Sequence, residues 1–287
     1  MKSPLLLLIL TCFALHANGQ KAIDEQVFTV NTSTLQSLHL HNMNGPVSVK
    51  GVEGKVASLK IKRSLESISN DRLEEAKGSI TFDSITVDDK MYFFMKHPDI
   101  NFEIDENGFG HYNSCCNRNN DRKHVKVKYE FEIELQLPKQ LDLQVSTHRK
   151  PLKIKDIDGN LMAKNHHNDL LAENLGGKAE LQTHHGDIKA SFVQNPSDAC
   201  SYATHHGDIT IEFRPSLAAN VYLKSHHGEF FTDFDWTPQP VALVKNDVEK
   251  GTKYVVNART AIQIGGGGPE QKFKTWHGDI YLLKAKQ

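Results

Sequence analysis

The sequence predicts an all-β protein, a single-stranded right-handed β-helix-like solenoid preceded by a β-rich segment with one short helix. The main observation is a frame, Thr-His-His-Gly-Asp-Ile, that recurs with substitutions about every 20 residues. A second observation is that apolar and polar residues alternate on both sides of each copy, as in β-strands. The copies are NHHNDL at Asn165–Leu170, THHGDI at Thr183–Ile188 and Thr204–Ile209, SHHGEF at Ser225–Phe230, TWHGDI at Thr275–Ile280, and an outlying THRKPL at Thr147–Leu152.

The composition is that of a folded chain with a net charge close to zero. Its 287 residues favour one or two domains, and 38% of them are hydrophobic. The 34 Lys and Arg residues nearly balance 35 Asp and Glu residues. Because nucleic acids and anionic membranes attract proteins with a clustered excess of cations, we expect no nucleic-acid partner.

The first 19 residues have the pattern of a secretory signal peptide. Lys2 precedes the apolar run Leu5–Leu10, and Ala17 and Gly19 supply small residues for cleavage after Gly19. The run is too short to span a bilayer, and no other segment resembles a transmembrane helix. Thr11 precedes Cys12 where a lipoprotein usually has a smaller residue, so we do not expect lipidation. We therefore expect export to the periplasm, the outer surface or the medium.

The mature chain is expected to have a β-rich segment at 20–135 followed by solenoid repeats at 136–287, continuous as one domain. The patterns FTV, LHLH and VSVKGV predict early strands, with a turn at Asn44-Gly45-Pro46. Asn70–Lys77 predicts a helix that is capped by Asn70 or Asp71 and stopped by Gly78. Asp99–Arg122 reads as a long loop or hairpin tip, and His124–Leu135 as a strand that ends near Pro138.

Removal of the signal peptide leaves three cysteines, Cys115, Cys116 and Cys200. Adjacent cysteines seldom bridge each other, because disulfide geometry is hard to reach between neighbours. One of the pair could bridge to Cys200. Alternatively all three are free thiols, with Cys200 a small buried residue.

Alternation predicts which side chains of a coil face the core. Ile188, Ala190 and Phe192 share one parity, as do Ile209, Ile211 and Phe213, and we expect both sets inside. The first histidine of each frame has the opposite parity and should lie outside. The second precedes a corner glycine, which permits a positive φ; Asn168 replaces it in one copy. The predicted corner residues are Gly186, Asp187, Gly207, Asp208, Gly228, Glu229, Gly278 and Asp279.

Stacked coils lie about 4.8 Å apart, so equivalent residues should form rows along one edge. In chain order the first row holds His148, His166, His184, His205, His226 and Trp276. The second holds Arg149, His167, His185, His206, His227 and His277. The third holds Asp169, Asp187, Asp208, Glu229 and Asp279.

Three interpretations of the histidine rows stay open. They can be corner residues that stack and whose charge the carboxylates offset. They can bind Zn, Cu or Ni, because neutral imidazole is a good ligand for these metals. They can form a contact surface for a glycan or a protein. The candidate metal ligands are His166, His167, His184, His185, His205, His206, His226 and His227.

The chain resembles the exported bacterial proteins described as putative adhesins, or β-strand-repeat domains of unknown function. The resemblance depends on NGPVSVKGVEG at Asn44–Gly54, LQLPKQLDLQV at Leu135–Val145, IDGNLMAKNHHNDL, both THHGDI copies, and GGGGPEQKFKTWHGDIYLLK at Gly265–Lys284. The repeat of that family usually ends Asn-Gly-Asp-Ile, whereas here histidine takes the asparagine position. The resemblance implies a β-helix-like fold and an envelope or surface role, with no catalytic residues to transfer.

We expect a binding or scaffold protein and not an enzyme. Carbohydrate-active β-helices need a compact cluster of carboxylates, whereas the carboxylates here recur once per coil. No nucleophile elbow, phosphate loop or HExxH motif occurs, so no catalytic or cofactor-binding residues are predicted. A polysaccharide-active enzyme is the least favoured alternative.

Overall fold

The computed structural model describes residues 20–114, 127–239 and 260–286, and the backbone of the strands Leu6–Leu10, Leu243–Val248 and Gly251–Val256. The chain forms two compact units, Met1–Ile154 and Lys155–Gln287. The signal peptide, its cleavage after Gly19 and the division at 135/136 stay predictions. Cys115 and Cys116 lie outside the described residues. Among the described residues, Cys200 is a buried free thiol.

In the part of the chain that the structure describes, one helix and the first twelve strands belong to the first unit. The strands are β1 Leu6–Leu10, β2 Gln20–Asn31, β3 Ser37–His41, β4 Val47–Val52, β5 Val56–Ser67, β6 Thr81–Val87, β7 Lys90–Lys96, β8 Ile100–Ile104, β9 Gly110–Ser114, β10 Lys128–Pro138, β11 Asp142–Thr147 and β12 Leu152–Lys155. One sheet has the order β1-β2-β5-β10-β4-β12, and a second has β11-β3-β7-β6. The β4–β10, β3–β11 and β3–β7 pairs are parallel, and β8–β9 is a separate antiparallel hairpin.

The expected strands and turn of this unit are confirmed, with shifted ends. FTV, LHLH and VSVKGV lie in β2, β3 and β4, and Gly45 has a φ of 130° at the expected turn. The strand expected at His124–Leu135 is observed as β10 from Lys128, and it ends at Pro138. The hairpin β8–β9 occupies most of the segment expected to be a loop or hairpin tip.

The helix α1 spans Asn70–Ser79, and its expected cap was wrong. Ser69 is the N-cap, because its hydroxyl accepts the backbone N–H of Arg72 at 3.5 Å. Gly78 does not stop the helix. The helix ends one residue later, where the Ile80 N–H donates to the carbonyl of Ala76 at 2.8 Å. Ile80 is itself fully buried, so packing fixes the point where the chain leaves the helix.

The second unit contains the other fourteen strands and is a β-solenoid. They are β13 Leu161–Asn165, β14 Leu170–Leu175, β15 Ala179–Gln182, β16 Ile188–Phe192, β17 Cys200–Ala203, β18 Ile209–Phe213, β19 Ala219–Lys224, β20 Phe230–Thr232, β21 Trp236–Pro238, β22 Leu243–Val248, β23 Gly251–Val256, β24 Thr260–Ile264, β25 Glu270–Lys274 and β26 Ile280–Lys284. Each coil has one strand in each of two sheets, and the repeated frame forms the corner between them. The predicted solenoid is confirmed.

Alternation sorts the side chains of the second unit as expected. Ile188, Ile209 and Ile280 are buried and in register across β16, β18 and β26. Phe192 and Phe213 stack at 5.1 Å between ring centroids, and Tyr202 contacts Phe273 at 4.9 Å in the opposite sheet. Parallel strands with apolar residues at equivalent positions stack into one continuous core along the solenoid.

The expected order of the coils was wrong, because the final copy does not stack last. β25 pairs in parallel with both β17 and β19, and β26 pairs with both β18 and β20. The coil of Trp276 and His277 therefore lies between the coil of His205 and the coil of His226.

The four-glycine turn explains how the final coil reaches this place. β24 runs antiparallel along one side of β19, while β25 lies on the other side, so the chain must cross the start of β19. It does so at Gly265–Gly268, where Gly265 has a φ of 60°. A Cβ on Gly265 would lie 2.5 Å from the Leu217 carbonyl oxygen, and one on Gly268 would overlap the Ala218 carbonyl oxygen. Only glycine allows so close a crossing.

In the first unit, β3 buries two histidines on the face away from the apolar core. His39 is 5% exposed, and its Nε2 lies 2.8 Å from the hydroxyl of Ser37. The ring of Tyr92 covers it at 4.4 Å. Phe102 and Tyr112 of the β8–β9 hairpin cover His41. Burial, followed by the charge of Lys90, lowers the pKa of His39 to about 4.

This buried histidine predicts a loss of stability in mild acid. The pKa of His39 is about 6.5 in the unfolded chain and about 4 when folded, so the unfolded state binds more protons between these values. The free energy of unfolding should fall by up to about 3 kcal/mol as the pH drops through this window. Urea titrations followed by circular dichroism at pH 7.5 and 4.5 should show a smaller loss in His39→Leu. An equal loss in both proteins would contradict this role of His39.

Candidate functional site

The repeated frames of the second unit form one edge that we call the histidine edge. It comprises His166, His167, His184, His185, His205, His206, Trp276, His277, His226 and His227. The second histidine of each coil forms parallel β-bridges with its neighbours. For example, the N–H of His206 donates to the His184 carbonyl at 2.9 Å, and the His206 carbonyl accepts the N–H of Gly186 at 2.8 Å. These bonds between coils use the backbone alone.

The corner after each histidine pair needs a glycine or an asparagine. Gly186, Gly207 and Gly278 have φ values of 145–146°, and Asn168 has 142°, as expected. A Cβ on Gly207 would overlap the carbonyl of Gly186 one coil away, so close stacking also excludes a side chain. Gly228 was expected to match them, but its φ is not positive. A Cβ on Gly228 would still overlap the Gly278 carbonyl, so the close stacking of the coils alone requires glycine there.

The threonine at the start of each frame binds the neighbouring coil. Its hydroxyl donates to the carbonyl of the preceding corner residue, from Thr183 to Asn168 at 3.2 Å and from Thr204 to Gly186 at 3.1 Å. Thr275 and Ser225 repeat the contact with Gly207 and Gly278. Sequence reasoning assigned these residues no such role, although a hydroxyl or amide residue at this place in every copy was a usable signal.

The carboxylate row also bonds from coil to coil. The backbone N–H of Asp208 donates to Oδ1 of Asp187 at 2.9 Å, and that of Asp279 donates to Oδ1 of Asp208 at 2.8 Å. Asp187 and Glu229 receive the same support from Asp169 and Asp279. The interpretation that these carboxylates serve to offset histidine charge is therefore incomplete, because each aspartate of the row accepts a backbone N–H of the next coil.

The first histidines stack in what we call the inner row. His166, His184 and His205 are parallel within 4°, with ring centroids 4.8–4.9 Å apart. Trp276 continues the row at 5.8 Å from His205, and His226 closes it at 3.9 Å. The side chains lie at the surface, and Trp276 is 42% exposed. Because the ring faces cover one another, the row presents mainly ring edges to solvent.

The second histidines form the outer row, which runs beside the inner row. His167, His185, His206, His277 and His227 follow at 4.8–5.1 Å between ring centroids, all within 10° of parallel. Within one coil the two rings meet edge to face at 4.3–4.4 Å. The first and second rows predicted from the sequence also included His148 and Arg149. These two residues lie in the first unit, and all other members of the two rows lie on this edge.

Stacking changes how easily these imidazoles take up a proton. Loss of solvation, followed by the charge that neighbouring histidines would bring, lowers the pKa of His166, His185, His205 and His277. For His185 the contributing neighbours include His184 and His206. These four imidazoles are therefore held toward their neutral form.

This coupling is measurable by NMR titration of the histidine ring protons. The pKa of His185 should lie below 6.5 in the wild type and rise in His184→Ala/His206→Ala, because the variant removes two repelling neighbours and solvates the ring. Lys189→Ala, a change at an exposed residue of the same coil, should leave the pKa of His185 unchanged. A pKa that is equal in the double variant and the wild type would contradict the stacked arrangement.

The described residues contain no helix long and apolar enough to cross a membrane.

No curated protein matches the chain. Among solved structures it is similar to a putative cell adhesion protein from Clostridium sporogenes, at 10% identity and a TM-score of 0.42, with 93% of this chain and 100% of the other covered. A putative adhesin from Bacteroides fragilis follows at 10% identity and 0.30, with 91% and 97% covered. A putative lipid binding protein from Parabacteroides distasonis has 10% identity and 0.25, with 91% and 97% covered. At these values the likenesses say nothing about what this chain binds.

A family model also matches the sequence itself. The Toastrack DUF4097 family model matches residues 24–237, which is well over half of the 287 residues. The match includes all four His-His pairs and strands of both sheets of the solenoid. The solenoid and the resemblance inferred from the repeats are thus confirmed, and the chain belongs to the Toastrack DUF4097 family.

Proposed function

We propose that the protein is an exported, non-enzymatic binding or scaffold protein of the cell envelope or cell surface, and that the histidine edge holds its ligand. One observation supports this most. The contacts that stack the coils are made by threonine, glycine, aspartate and the backbone, while the imidazoles lie at the surface in parallel rows. The ten aromatic side chains of the edge are therefore not required to form the corners.

The shape of the edge indicates a ligand with repeated polar groups. Stacked rings hide their faces and present nitrogen-bearing edges at intervals of about 5 Å, set by the spacing of the coils. Each neutral imidazole offers one donor and one acceptor nitrogen. An extended glycan or a protein segment with regularly spaced hydroxyl, carboxylate or amide groups fits such a row better than a compact apolar molecule does.

The carboxylates of the edge support a binding role over catalysis. Acid–base hydrolysis of a glycan uses two carboxyl groups at a set separation about one bond. Here Asp187, Asp208 and Asp279 recur at the spacing of the coils, and each accepts a backbone N–H of the next coil. They are therefore occupied in stacking the coils and are not arranged as an acid and a base.

The test compares two sets of surface substitutions in binding to glycan arrays and to isolated envelopes, in buffer that contains EDTA. His184→Asn/His185→Asn/His205→Asn/His206→Asn should weaken binding at least tenfold, because it removes the centre of both rows. The control Lys189→Asn/Glu212→Asn alters exposed residues of β16 and β18 away from the edge and should bind as the wild type does. Unchanged binding by the histidine variant would overturn the assignment of the edge as the binding surface.

A further inference from the structure

The two rows of the histidine edge also form a grid of four-imidazole cells. In the central cell, His184 and His185 lie on one coil and His205 and His206 on the next. The ring centroids are 4.3 Å and 4.4 Å apart within the coils, and 4.8 Å and 5.0 Å apart between them. Four imidazoles thus occupy the corners of a small square on the protein surface.

These separations match those of imidazoles that share a metal ion. Two rings bound through nitrogen at about 2.0–2.1 Å, at square-planar or tetrahedral angles, have centroids about 4.5–5 Å apart. Rings of one row are parallel within 3–4° and do not yet point at a common centre. Ion binding therefore needs rotation of these surface rings, and no backbone movement.

The orientation of one ring in the cell agrees with this use. Nδ1 of His205 is buried and has no hydrogen-bond partner among the described atoms. Nε2 is therefore the nitrogen of this ring that can reach an ion from the solvent. The coil-to-coil bonds of Thr204 and Asp208 hold the backbone on both sides of the pair, so the Cα positions of the cell are fixed in advance.

We propose that two adjacent coils of the histidine edge bind one divalent transition-metal ion, Zn²⁺, Cu²⁺ or Ni²⁺, through the imidazoles of one cell, with His184, His185, His205 and His206 as the central cell. Imidazole nitrogen is a preferred ligand of these three ions. The activity is separate from the proposed function, because it needs neither a glycan nor a protein partner.

The coil order sets the number of ions. Five coils stack along the edge, and two cells that share no coil fit into five coils, so we expect two ions per chain. A cell that includes the coil of Trp276 and His277 has only three imidazoles, because Trp276 takes the fourth corner. Every way of placing two such cells on five coils uses this coil, so one of the two ions should be held by three imidazoles and bind more weakly than the other.

Calorimetric titration of chelator-stripped full-length protein with ZnCl₂ and NiCl₂ tests the proposal. The wild type should bind two ions, the tighter one in the micromolar range. His184→Asn/His185→Asn/His205→Asn/His206→Asn should lose the tighter ion and keep the weaker one, which the coils of Trp276 and His226 can still hold. The control His111→Asn removes an exposed histidine of the first unit and should bind as the wild type does. No heat below millimolar metal, or unchanged binding by the quadruple variant, would overturn the proposal.

A gain-of-function variant tests the cell itself. Trp276→His supplies the missing corner and should tighten the weaker ion at least fivefold, whereas Trp276→Phe should not. Equal affinities in both variants would contradict the two-coil cell. Since envelope binding is measured in EDTA, the two hypotheses fail separately: metal binding without envelope binding refutes the proposed function alone, and the reverse result refutes the metal site alone.

Discussion

The second unit depends on hydrogen bonds from each coil to the next at the glycine corner. Two side chains of a coil make one such bond each. The threonine before the histidines donates its hydroxyl to a carbonyl of a neighbouring coil, and the aspartate after them accepts a backbone N–H of a neighbouring coil. Between them, glycine lets two backbones approach so closely that a Cβ would overlap the neighbouring carbonyl. Each neutral bond is worth about 1 kcal/mol and each bond to a carboxylate about 2 kcal/mol. Repetition over five coils makes the sum large enough to fix the spacing of the whole edge.

The histidine rows are a consequence of this spacing. Once the corners are held one strand spacing apart, equivalent side chains must stack, whatever their chemistry. Histidine at both exposed positions produces two parallel rows of imidazoles, in which the pKa values of His185 and His205 are lowered, beside a row of carboxylates that already serve the backbone. The scaffold therefore separates two tasks. Threonine, glycine and aspartate keep the coils together, and the imidazoles are left to determine what the surface recognises.

Much of the edge could be predicted from the sequence, because its causes are local. Alternation placed Ile188 and Ile209 inside and His184 outside, and the glycine of each frame marked the corner. The order of the coils was not predictable in this way. Neighbouring coils usually follow in chain order, and the insertion of β25 between β17 and β19 depends on contacts far apart in sequence, such as that of Phe273 with Tyr202. Burial of His41 likewise depends on a hairpin distant in sequence, whose Phe102 packs against its ring.

The corner side chains stabilise the solenoid, whereas the imidazoles do not. The most direct measurement is the free energy of unfolding at pH 7.5 of Thr204→Val/Asp208→Ala and of His205→Asn/His206→Asn, which alter neighbouring residues of one coil. Both tryptophans, Trp236 and Trp276, lie in the second unit, so their fluorescence reports its unfolding. We expect a loss of about 2–4 kcal/mol for the corner variant and less than about 1 kcal/mol for the histidine variant. These values follow if the corner bonds hold the coils together. A larger loss in the histidine variant than in the corner variant would contradict this role.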